Sequence, residues 1–130
     1  MMLMGIRATP DGTVEGVVVN VSKSSLAGMR AQIGCRAVDV VRLAQRIDGW
    51  IDDDGFYTQE RNLLASTIAW MLGRDAACGL LHGPVLFLTA DADGATRSLS
   101  PDQYARVMLT ANLAKDSLTR AEALIAAVQA

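Results

Sequence analysis

Apolar and polar positions alternate with turn residues along this chain in short blocks, and each block predicts an element. The stretch MLMGIRAT and the β-branched run TVEGVVVN flank Pro10-Asp11-Gly12, residues that preset turn dihedrals, and so predict an N-terminal hairpin. Leu26, Met29 and Ile33 then recur at helical spacing behind the capping candidates Ser22, Ser24 and Ser25. Gly34 stands where a left-handed C-terminal cap belongs, which predicts a helix of about two to three turns. Val38, Val40 and Val41 within Cys35–Leu43 predict a strand, and GWIDDDGFYT predicts a second hairpin with Asp52 to Gly55 at its tip. Leu64, Ile68, Met71 and Leu72 form the apolar arc of a further helix, with Thr58 as its cap, Glu60 in its first turn and Gly73 at its end. PVLFLTAD reads as a strand and TADADGATRSLS as the turn that follows it. Ser100-Pro101-Asp102 opens a last helix that no Gly or Pro interrupts before about Val128. The predicted fold class is α+β: a mainly antiparallel sheet with about three helices, the C-terminal one long. The expected organisation is a single domain over 1–130, with residues 1–99 as the α+β core and 100–130 as the C-terminal helix.

Two helices carry more apolar surface than one core-facing stripe accounts for. Leu63 and Trp70 lie a heptad apart on a different side from the arc of Leu64, making them a candidate contact patch. In the last helix the main arc contains Tyr104, Val107, Ala111, Leu118, Ala121 and Ile125, while Leu109, Leu113 and Leu124 gather on the opposite side among Arg106, Asp116 and Arg120. At 1.5 Å per residue this helix measures about 42 Å. A compact chain of this length has a radius of gyration of roughly 14 Å, hence a diameter near about 36 Å. A straight helix overhangs such a body, and Leu109, Leu113 and Leu124 are therefore the candidate self-association residues of a two-fold dimer.

Composition narrows the chemistry. With 51% hydrophobic and 20% charged residues the 130-residue chain has the apolar content of a folded domain, and its formal net charge of -2 leaves no basic footprint for nucleic acid. No membrane span or leader is evident, so a cytoplasmic location is expected. Asp52, Asp53 and Asp54 form an acidic triplet, but the run lacks the alternation and the distant Glu of a calcium loop. In the second acidic stretch, Thr89 and Ser100 fall where such a loop needs its strongest ligands. Cys78 and His82 are too few for structural zinc, Cys35 stands alone, and no Ser or Cys has a neighbouring base-and-acid pattern. No cofactor, no metal ion and no catalytic residue is expected.

Several motifs in this order, MRAQIGC, WIDDDG, RNLLAS, HGPVLFL and DADGATRSL, resemble a family of short proteins of unknown function found in bacteriophages, plasmids and some bacteria, especially actinobacteria. The resemblance covers roughly residues 1 to 100. The chain departs from the pattern at Cys35, where a second Gly is usual, and at Val38, where an acid is common; the C-terminal helix is an addition. The resemblance implies a mobile-element accessory protein in a bacterial host cytoplasm, and it brings no reaction with it. The expected function is accordingly non-enzymatic: interaction with a host or phage protein, with a possible homodimer. The alternative is a small-ligand or divalent-ion-binding protein or enzyme that uses the acidic turns.

Overall fold

A computed structural model describes residues 1–129; Ala130, the last residue of the predicted helical segment, lies outside the described residues. The elements follow in the order β1 (Met2–Ala8), β2 (Val14–Asn20), α1 (Ser25–Ile33), β3 (Val38–Arg42), β4 (Ile47–Asp52), the one-turn α2 (Gly55–Thr58), α3 (Leu63–Met71), β5 (Val85–Ala90), the short β6 (Thr96–Arg97) and α4 (Pro101–Gln129). The strands form one six-stranded sheet in the order β2-β1-β5-β4-β3, every pairing antiparallel, with β6 on β5. This is the α+β fold that the polar and apolar pattern predicts.

β5 lies at the centre, and its sequence says why. Val85 to Leu88 are fully buried, because successive side chains of a central strand enter opposite faces and both faces are covered. Val85 and Phe87 join Ile6, Ile47, Leu64, Ile68 and Val107 in a core under α3 and α4. Leu86 and Leu88 join Leu3, Val19, Met29 and Ile33 in a second core under α1. Ser24 caps α1 by accepting from the Ala27 N–H at 3.0 Å, and Gly34 ends it in the left-handed region at φ 75°. Within α1, Gly28 lies so close to the Asn20 carbonyl that a Cβ would collide with it, which lets the helix settle onto the end of β2.

Two expectations around the acidic triplet are corrected. The second hairpin is not GWIDDDGFYT; it is β3–β4, with Val38 paired to Asp52 and Arg42 to Asp48. Asp52 is therefore the last residue of a strand and is buried, accepting from the Asp54 N–H at 2.9 Å and from Gln59 Nε2 at 3.1 Å. Gly55 is not in the positive-φ region; a Cβ there would stand 3.1 Å from the His82 carbonyl, so close packing makes Gly the residue that fits without displacing it. The helix with the arc Leu64, Ile68, Leu72 starts later than Thr58. Its cap is Asn62, and Met71 is exposed rather than part of the core. The turn after β5 is as expected, with Gly94 at φ 84° and the Asp91 N–H donating to the Ala95 carbonyl at 2.9 Å.

Asn62 does more than cap. Fully buried, it accepts from the Ala65 N–H at 2.9 Å, and its Nδ2 donates to the carbonyls of Ala8 at 3.0 Å and Gly83 at 2.8 Å. Its backbone N–H donates to the Leu81 carbonyl, and Ser66 Oγ links the Asn62 carbonyl at 2.7 Å with the Leu81 N–H at 2.8 Å. Asn62→Ala is expected to cost about 2–4 kcal/mol in urea unfolding, from the lost cap and the two lost buried hydrogen bonds to the Ala8 and Gly83 carbonyls. Asn62→Asp, which turns a carboxylate toward those carbonyls, should be as damaging at pH 7. It should recover part of the loss toward pH 4, because burial raises the new carboxyl's value and its protonated form can donate.

Candidate functional site: the β3–β4 turn and the open face of α4

The loop between β3 and β4 closes on Ala44 to Ile47, with the Ile47 N–H donating to the Ala44 carbonyl. Its two central residues, Gln45 at φ 59° and Arg46 at φ 61°, both occupy the left-handed region. That is the geometry of a turn which favours Asn-Gly, and each ordinary L-residue held there costs roughly 1–2 kcal/mol. The surroundings compensate. The Ala44 N–H donates to the Leu72 carbonyl at 2.8 Å, and Thr89 Oγ1 donates to the Arg46 carbonyl at 2.6 Å. Gln103 Nε2 donates to both the Gln45 carbonyl and Thr89 Oγ1 at 3.0 Å. Gln103 is itself fixed by a reciprocal capping box: the Ser100 N–H donates to its Oε1 at 2.9 Å, and its own N–H donates to Ser100 Oγ at 3.1 Å. The start of α4 is thereby tied to the turn.

Beside the turn runs an open groove of about 640 Å³ between the end of α3 and α4, walled by Gln45, Met71, Asp102, Arg106, Leu109 and Leu113 among others. The helix turns Val107, Thr110, Ala111 and Ala114 to the core and leaves Leu109 61% and Leu113 49% exposed. From Thr119 onward every described residue of α4 is exposed, so the helix runs past its own core as its length predicts. Leu124, at 68% exposure, forms an apolar ridge there with Ile125 and Val128; Ile125, expected on the core-facing arc, has no core left to meet. Leu63 is also exposed and Trp70 half-buried, its indole N–H without an acceptor among the described residues, but neither lines the groove. The structure thus brings Leu109 and Leu113 together with Met71 and Gln45, which sequence reasoning missed. Helical spacing alone places Met71 on the core arc, and a Gln-Arg pair gives no sign of a positive-φ turn.

On the other side of the same turn, Arg42, Arg46 and Asp48 face the Asp91–Gly94 loop. Asp48 is buried, and burial raises its carboxyl above the ordinary range, a rise opposed by Arg42 at 3.2 Å. Asp91 is held below that range, first by the Ala95 backbone N–H. Cys35 is driven upward by desolvation and then by the nearby Asp52 carboxylate, the reverse of what a thiolate nucleophile needs. His82 meets Phe56 edge-on with ring centres 5.2 Å apart, and its Nδ1 lies 3.3 Å from the Gln59 carbonyl. Among the described residues no three His, Cys, Asp or Glu side chains converge on a metal position, and no helix is long and apolar enough to cross a membrane.

These features define a small α+β domain with helices on both faces of an antiparallel sheet and an open apolar face on its last helix. The chain belongs to the family described as a domain of unknown function, DUF3846, which residues 4–112 match. No curated protein and no solved structure matches it significantly. The family match ends at residue 112, inside α4, so Leu109 falls within it while Leu113 and Leu124 lie beyond.

Two outcomes check this geometry. Gln45→Asn with Arg46→Gly should stabilise the protein by about 1–2 kcal/mol in urea unfolding, since Asn-Gly relieves the positive-φ cost at both positions. Asp48→Asn should raise the urea midpoint at pH 7. Because the folded protein holds the Asp48 proton more tightly than the unfolded chain does, the wild-type disadvantage is absent below the ordinary value of 3.8 and grows as pH rises past it. An equal midpoint difference at pH 3 and pH 7 would contradict this account.

Proposed function

We propose that this protein is a non-enzymatic accessory factor that acts by protein–protein interaction, in the bacteriophage or mobile-element setting and host-cell cytoplasm that its motifs suggest, with a host or phage protein or a second copy as partner. The observation that carries this reading is the open α4 face. Leu109 and Leu113 are surface leucines beside a groove, on a helix whose core-facing stripe is already occupied. Contiguous apolar surface of this kind marks an interaction site more often than it serves the monomer. The turn beside it supports the same reading: Gln45 and Arg46 stand at positions where Asn and Gly cost less, and strain of this kind concentrates where side chains are needed for function.

The test sets the face against the acidic turns. Melting in calcium, magnesium or zinc should stay within about 1 °C of the ion-free value, since a ligand that favours the folded state raises the midpoint by mass action. Leu109→Glu with Leu113→Glu should abolish every protein association the wild type makes while leaving the melting temperature within a few degrees. A rise of several degrees with one ion, or associations indifferent to the two substitutions, would sink the proposal.

A further inference from the structure

Resting on that reading, we infer that the occupant of the open face is a second copy of this chain, its α4 lying antiparallel to the first. The exposed side of α4 reads Leu109, Leu113, Asp116, Arg120, Leu124, Val128. At 3.6 residues per turn these six fall within an arc of about 120°, away from the buried Val107, Ala111 and Ala114. The order is apolar, apolar, acidic, basic, apolar, apolar, and it is complementary to its own reverse. A two-fold axis crossing the helix between Leu118 and Thr119 sets Leu113 against the partner subunit's Leu124 and Leu109 against the partner subunit's Val128. It also brings Asp116 beside the partner subunit's Arg120, twice by symmetry. A parallel pair in register instead opposes Asp116 to the partner's Asp116 and Arg120 to the partner's Arg120, so charge selects the antiparallel arrangement.

The rest of the fold leaves room for this partner. The overhanging segment from Thr119 has no cover from its own sheet, and antiparallel pairing lays it along the groove beside Met71, Leu109 and Leu113 of the other copy. Each chain supplies both an apolar ridge and a groove to receive one, so the contact is isologous and closes at two copies. Asp116 and Arg120 have no ion-pair partner elsewhere among the described residues, which leaves both available to the axis.

Light scattering on the full chain should give twice the 13.8 kDa chain mass at micromolar concentration. Leu113→Glu with Leu124→Glu should return it to the monomer mass with unchanged far-ultraviolet circular dichroism. Asp116→Arg should weaken the dimer at least about tenfold, and adding Arg120→Asp to the same chain should restore it, because each copy contributes both members of the pair. Register is read by spin labels on a Cys35→Ala, Cys78→Ala background. Labels at Ser117 should lie close across the axis, with an axial offset of about 4–5 Å, whereas labels at Ala105 should be offset by about 40 Å. Short distances at both sites would indicate a parallel pair and overturn the inference, as would a dimer that survives the glutamate substitutions. A wild-type monomer at 100-micromolar-scale concentration (about 10⁻⁴ M) would also overturn it. If that monomer still captured a different protein through Leu109 and Leu113, the interaction reading above would stand without self-pairing.

Discussion

The architecture depends on the satisfaction of backbone polar groups at one buried asparagine. The end of β1, the start of α3 and the loop that leads into β5 converge at Asn62, whose buried side-chain amide donates to the Ala8 and Gly83 carbonyls. A buried carbonyl without a donor is costly, and a side-chain amide has two N–H donors and one acceptor to place at once. Serine or threonine would cap α3 but would lack the second donor, and an aspartate carboxylate would lack both. Through this one residue the helix layer is fixed to the sheet, so the placement of Leu64 and Ile68 over Phe87 follows from a polar contact as much as from apolar burial.

A second tie positions the candidate site. Gln103 belongs to α4, Thr89 to β5 and Gln45 to the β3–β4 turn, and the hydrogen bonds among them hold the helix start against the far end of the hairpin. That geometry aims the Leu109 side of α4 away from the sheet. Rotating the helix to bury Leu109 would break the bonds to Gln45 and Thr89 and withdraw Val107 and Ala111 from the core, so the leucines remain outside for a structural reason.

Local chemistry explains which parts were legible in the sequence. The first hairpin, α1 with Ser24 and Gly34, the turn at Gly94 and the opening of α4 at Ser100 are set by residues with strong positional preferences, and each was readable. The two faces of α4 were readable as well, because a helix of this length without Gly or Pro has a definite periodicity. The β3–β4 hairpin was not. Its turn uses Gln45 and Arg46, whose positive φ is imposed by tertiary hydrogen bonds, while the Asp-Gly pair nearby suggested a turn tip and instead joins a buried strand end to α2. Local spacing points to Thr58 as the cap, because the partners that set Asn62 apart, at Ala8 and Gly83, are distant in sequence.

The central position of β5 also governs the order in which this chain can be assembled during synthesis. Both of its long neighbours precede it: β1 by almost the whole core and β4 by more than thirty residues, the shorter of the two separations spanning Ile47 to Thr89. Until Val85–Ala90 has been made, the first hairpin and the β3–β4 hairpin have no strand between them, and their inner apolar faces stay open to solvent and to one another. Closing a sheet through such distant pairings is slow compared with forming its hairpins. A nascent chain of this protein therefore passes through an interval in which its two hairpins lack the strand that joins them, the stage at which helper proteins that shield apolar surface have most to act on.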